Sequence, residues 1–137
     1  MKFLQLSLFL VLSSALFAQV QPKAKKEAQP PLKFTVLEIE RQNIPYGSED
    51  LFVFEFKNTS KKAAVITNVQ TSCGCTAAER PETPIRKGKK GVIKVHYDTK
   101  RVGGFTKTIT VFSNVGDPII LTIKGTVLSP SDSPVIN

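Results

Sequence analysis

Apolar and polar residues alternate in short runs along most of this chain. Leu51 to Lys57 puts Phe52, Phe54 and Phe56 on one side, with Val53 and Glu55 between them. Alternation with a period of two marks a strand that buries one face. Val92–Asp98 repeats it with Ile93, Val95 and Tyr97. Phe105–Ser113 does so with Phe105, Ile109 and Val111, and the run from Ile119 to Gly125 with Ile119, Leu121 and Ile123, followed by Val127. Ala63–Thr71 carries Val65, Ile66 and Val69. Leu32–Glu40 begins in one phase, on Leu32, Phe34 and Val36, then shifts to Leu37 and Ile39. That shift predicts a bulge, or a strand that passes from one sheet to another.

Turn chemistry separates these runs. Pro45 and Gly47 lie in Gln42–Asp50, and Asn58-Thr59-Ser60-Lys61-Lys62 is a polar turn. Pro81, Pro84, Gly88 and Gly91 keep Glu79–Gly91 from forming a regular helix. Gly103-Gly104 and Asn114–Pro118 mark two further turns, with Asp98 and Asn114 as turn-capping residues. No helical period competes. The spacing of about seven short strands predicts an all-β, immunoglobulin-like sandwich of antiparallel strands over residues 32–127. A chain of 137 residues holds one such domain. Its core is large enough to stand without a metal or a disulfide.

The flanks read differently. Met1 to Ala18 has a positive start at Lys2, an apolar stretch over Leu4–Leu12, and the small residues Ser13, Ser14, Ala15 and Ala18. This is the form of a secretory signal peptide over 1–18, too short for a stable membrane span. The competing reading is an uncleaved N-terminal anchor. No cysteine stands at the cleavage point to take a lipid. Residues 19–31, QVQPKAKKEAQPP, have little to bury and read as a disordered linker. Residues 128–137, with Pro130 and Pro134, read as a flexible tail. The remaining chain has no apolar run long enough to cross a bilayer. The expected compartment is outside the cytoplasm, periplasmic or extracellular, where disulfides persist.

Charge changes this picture little. There are 19 Lys and Arg against 11 Asp and Glu, a formal net charge of +8. The cations fall mostly at loop positions and read as solvated turns. No basic helix or base-stacking motif accompanies them, so a nucleic-acid partner is not expected.

Candidate chemistry centres on Ser72-Cys73-Gly74-Cys75-Thr76, which holds both cysteines of the chain. Three readings of Cys73 and Cys75 stand open. They form a local disulfide, in a ring so small that it stabilises little and is readily reduced. Or they are two thiolates of a copper or zinc site, for which His96, with Asp98 or Glu79, would complete the ligand set. Or they are small structural hydrophobes on one side of a strand. The spacing is not the Cys-x-x-Cys at a helix start that lowers a thiol pKa. His96 lies opposite Ile93, Val95 and Tyr97 and so reads as a solvated strand residue with no adjacent nucleophile. Asn58-Thr59-Ser60 matches a glycosylation acceptor. No cofactor and no catalytic residue is expected.

The pairing of Ser72-Cys73-Gly74-Cys75-Thr76 with the F-x-K-x-I-x-V-x-SN run from Phe105 to Asn114 resembles a bacterial secreted family common in Bacteroidetes, DUF1573, a domain of unknown function. Phe56-Lys57-Asn58-Thr59-Ser60, Val65–Val69 and Gly91–Val95 extend the resemblance across Phe34 to Val127. It is similar to Hydin-type immunoglobulin-like domains. The resemblance implies a sandwich and export, and no established catalytic activity. Many relatives carry a Gly- and Glu-rich turn before the strand at Val92. Here that turn is Arg86-Lys87-Gly88-Lys89-Lys90, so a shared acidic partner surface is not implied. The expected function is a non-enzymatic binding or assembly module of the cell envelope with a protein partner. The alternative is a thiol-based redox or metal-handling role for Cys73 and Cys75.

Overall fold

The computed structural model describes residues 30–134. The expected signal peptide, the linker as far as residue 29 and the last three residues lie outside that range. The strands are β1 (Leu32–Phe34), β2 (Glu38–Ile44), β3 (Leu51–Asn58), β4 (Ile66–Thr71), β5 (Thr76–Glu79), β6 (Lys90–Tyr97), β7 (Gly103–Ser113) and β8 (Ile119–Val127). They form two four-stranded sheets, one ordered β1-β3-β6-β5 and the other β2-β8-β7-β4. The architecture is an immunoglobulin-like β-sandwich.

The phase shift in the first run has its physical cause here. Leu32 and Phe34 face the core from β1, antiparallel to β3. The chain then crosses to the other sheet, where β2 lies parallel to β8. The expectation of a wholly antiparallel sandwich is therefore corrected at one pair. A strand that changes sheet along one edge keeps its direction, and here it meets β8 running the same way. The strand β5 was not expected. Ala77 and Ala78 are too small to show an alternation, and Pro81 follows closely.

The core is filled from both sheets. Phe52, Phe54 and Phe56 of β3 are 0%, 0% and 1% exposed. Ile93, Val95 and Tyr97 of β6 lie beside them, and Ile109, Val111, Leu121 and Ile123 face them from the other sheet. Burying each large side chain contributes about 1.5–3 kcal/mol. Aromatic contacts cross the interface. Tyr97 stacks on Phe105 at 3.7 Å, and Phe52 meets Phe105 edge-on at 6.2 Å. Two glycines make room for these rings. A Cβ on Gly91 would lie 2.4 Å from Phe56 Cζ, and one on Gly125 would lie 2.5 Å from the Arg41 carbonyl oxygen and 2.9 Å from the Phe105 ring.

Asn58 closes the end of the sandwich where β3 stops. Its side chain is fully buried. Nδ2 donates to the carbonyls of Lys62 and Ile85, both at 2.8 Å. Oδ1 accepts from Ser60 N–H at 2.9 Å and Ser60 Oγ at 2.7 Å. Its backbone N–H donates to Lys89 O, and its carbonyl accepts from Gly88 N–H. The turn 59–62 and the loop before β6 are thus tied to one residue. With Nδ2 fully engaged and inaccessible, Asn58 is no glycan acceptor in the folded chain. At the opposite end, residues after β8 fold back rather than trailing off as far as they are described. Leu128 N–H donates to Ile44 O, and Tyr46 N–H to Ser133 Oγ at 2.8 Å.

Removing the Asn58 amide leaves the part-buried Ser60 N–H without its partner and strips one of two donors from each of the Lys62 and Ile85 carbonyls. Asn58→Ala is expected to lower stability by about 3 kcal/mol in denaturant unfolding. Amide exchange should then accelerate in residues 59–62 and 85–89 ahead of the rest.

Burial pushes the Tyr97 hydroxyl above its ordinary range, with Arg101 opposing the rise and Asp98 adding to it. The unfolded phenol ionises first, near pH 10. Stability linked to Tyr97 is therefore intact below about pH 10 and is lost as pH rises through the folded value. Melting curves between about pH 9 and 11 should show Tyr97→Phe losing less stability than the parent.

Candidate functional site

The cysteine stretch is another place where the chain changes sheets, here from one edge strand to the other. Thr71 ends β4 in one sheet and Thr76 begins β5 in the other. The crossing is a turn, not a strand. Ser72 N–H donates to Thr108 O at 3.0 Å, and Ser72 Oγ accepts from Thr108 N–H at 3.2 Å. Cys73 O accepts from Thr71 Oγ1 at 3.1 Å, and Cys75 O accepts from Asp98 N–H at 3.0 Å. In the structure the two sulfurs are bonded to each other, with the Cα atoms 5.3 Å apart. Both cysteines are half-buried. The Thr76 hydroxyl lies 3.5 Å from Cys73 Sγ and 3.8 Å from Cys75 Sγ. Gly74 has open space on its Cβ side and no positive φ, so the turn does not demand glycine there.

His96 is not part of this group. It lies on the outer face of β6, where Nε2 meets Glu79 Oε1 at 3.2 Å, and Lys94 meets the other oxygen of Glu79 at 3.6 Å. Among the described residues no three His, Cys, Asp or Glu side chains come together in a way that would hold a metal ion.

The crossing leaves β4 as an open edge, a feature the sequence reading did not single out. β4 pairs only with β7. Ser72 donates to Thr108, so register places Gln70 opposite Thr110 in the hydrogen-bonded pairs. Val69 and Thr71 then turn their N–H and C=O groups outward. The other edges are blunted. β1 has three residues. β2 is broken by a register shift and by Asn43 at φ 58°. β5 has four residues and runs into Arg80-Pro81. β4 is Ile-Thr-Asn-Val-Gln-Thr, with neither charge nor proline. These are devices by which natural edges avoid pairing; β4 carries them only at its start, where the register shifts between Ile66 and Asn68 and Arg80 Nη1 donates to Ile66 O, and its register is regular from Asn68 to Thr71. Edge status depends on sheet order, and alternation within one run carries no trace of it.

The disulfide closes a ring of only three residues. Its loop-closure contribution is about 1.5 kcal/mol. Cys73→Ser/Cys75→Ser is expected to lose about 1–2 kcal/mol in urea unfolding and to keep the β-sheet circular dichroism of the parent. A loss of the fold would show that the turn depends on the bond.

Solved structures of similar shape agree on the architecture. The ASH/PapD-like domain 7 of human CEP192 superposes with a TM-score of 0.63 at 8% identity, over 80% of this chain and 96% of that domain. A protein of unknown function from Porphyromonas gingivalis W83 superposes with a TM-score of 0.61 at 13% identity, over 69% of this chain and 46% of that one. The VesB protease of Vibrio cholerae does so at 0.59 and 11%, over 70% of this chain and 32% of that one. The chain thus spans less than half of the P. gingivalis protein and about a third of VesB. At these identities the likeness is one of fold. None of the curated proteins matches the sequence. Residues 32–127 match the family model described as Protein of unknown function (DUF1573), and the chain belongs to that family.

Proposed function

We propose that this chain is an exported, non-catalytic binding or assembly module of the bacterial cell envelope, and that it receives an extended segment of a protein partner on the β4 edge. The observation that carries the reading is the unpaired, uncharged stretch of β4 from Asn68 to Thr71, where the backbone N–H and C=O groups of Val69 and Thr71 face away from β7. An extended segment gains main-chain hydrogen bonds there without disturbing the sandwich. Export is supported by the apolar Leu4–Leu12 stretch and the small residues after it. Absence of catalysis is supported by His96, whose partner is a carboxylate on an exposed sheet face rather than a nucleophile.

The half-exposed bond between Cys73 and Cys75 favours a second reading, thiol exchange with small thiols or protein thiols outside the cytoplasm. In that reading the double serine variant loses a reducible bond. In the first it keeps partner binding unchanged.

A photo-crosslinking residue at Thr67, on the open edge, is expected to give a discrete product in whole cells, and the same residue at Lys100 is not. Proline at an outward-facing N–H blocks an added strand yet spares the ladder. Val69→Pro should therefore reduce the product about tenfold, for about 1–2 kcal/mol of stability. Gln70→Pro removes a ladder bond and should cost about 3 kcal/mol or more. Equal products from Thr67 and Lys100 would contradict the reading.

A further inference from the structure

Cations that look scattered along the chain are gathered by the fold at one end of the sandwich. Strand register places Lys33 opposite Lys57 and Lys57 opposite Lys90, a row of three lysines across β1, β3 and β6. Like charges directly opposite one another on a sheet face are destabilising. Of the three, only Lys90 has a carboxylate close by among the described residues, Glu55 at 3.5 Å. The turn after β3 adds Lys61 and Lys62, and the loop before β6 adds Arg86, Lys87 and Lys89, all exposed. None of these five is within ion-pairing distance of a carboxylate among the described residues.

The backbone beneath these side chains is fixed in advance. Asn58 holds Lys62 O through Nδ2 and Lys89 O through its N–H. The chain also enters the domain here, since Thr59 N–H and Oγ1 donate to the carbonyls of Pro31 and Pro30. The acidic residues of this end are Glu55, Glu82 and Asp117. At the opposite end Arg41 pairs with Asp50 and Arg101 with Asp98, and Glu49 and Asp132 offset Lys100.

We propose that this basic end is a docking surface for the anionic phosphate headgroups of a lipid membrane. It goes beyond the β4 reading and uses a different surface. The retained like-charge row is the signature of a site whose counter-charge comes from a partner. Its composition selects the occupant. All but one of the cations are lysine, which acts as a point charge in a field rather than as a bidentate fork. The exposed aromatic of the described residues, Tyr46, lies at the other end, so no stacking platform for nucleic acid accompanies the charge. The cations spread over a sheet face and two adjoining loops, which suits an extended charged surface.

The test uses the exported chain and sedimentation with phosphatidylcholine vesicles containing about 30% phosphatidylglycerol. The chain is expected to bind these and not pure phosphatidylcholine vesicles, and to be released as salt rises from about 50 to 300 mM. Lys62→Glu/Lys87→Glu and Lys100→Glu/Arg101→Glu change net charge equally. The first should weaken binding at least tenfold and the second less than about threefold. Lys57→Gln should weaken binding about fivefold while melting at or above the parent, because it relieves the lysine row. Equal losses in the two double variants, a Lys57→Gln variant that binds like the parent, or a parent that ignores anionic vesicles would overturn the proposal. Tighter binding to single-stranded DNA or heparin than to the vesicles would overturn it as well, in favour of a polyanion in solution.

Discussion

One buried amide sets the conformation of an entire end of this sandwich. Asn58 satisfies two carbonyls with Nδ2 and two donors on Ser60 with Oδ1, and its backbone bonds the loop before β6. A polar group buried without partners costs about 1–3 kcal/mol. Full satisfaction therefore makes this arrangement strongly preferred over any that leaves one bond unmade. Loops rich in lysine and proline would otherwise have little to order them. The sheet beneath is held by aromatic packing between Phe52, Tyr97 and Phe105, which needs Gly125 to let both the ring and β2 approach.

The two sheets are linked by a crossing at each side. β1 passes to β2 on one side and β4 passes to β5 on the other. A crossing covers part of an edge but cannot pair it, so the sandwich keeps four strand edges. Three are short or irregular. β4 is uncharged and regular in register from Asn68 to Thr71, and the disulfide turn stands at its end. The cysteines thus mark the site by position. They pin the exit of the open strand, and their ring is too small to stabilise the fold by much. The basic end and the open edge are separate surfaces, and one chain presents both.

Much of the core was legible from residue order. Phe52, Phe54 and Phe56 alternate, and they are buried. The phase change after Val36 signalled a bulge or a sheet crossing because the side-chain period is fixed at two, and the structure shows the crossing. Other features were not legible. β5 has no large residue to carry a pattern. The parallel pairing of β2 depends on which way β8 runs beside it. The lysine row joins positions 33, 57 and 90, which only register brings into line. Asn58 read as one member of a polar turn, and nothing local shows that its partners lie as far away as Ile85.

The central claim is that β4 is an open edge available to a partner strand. Residue-resolved hydrogen exchange of the isolated, monomeric chain tests it most directly. The account predicts a slow Gln70 amide, paired to Thr110, between fast Val69 and Thr71 amides that face water. Val69 and Thr71 amides as slow as that of Gln70 in the monomer would mean that the edge is already covered, and would contradict the account.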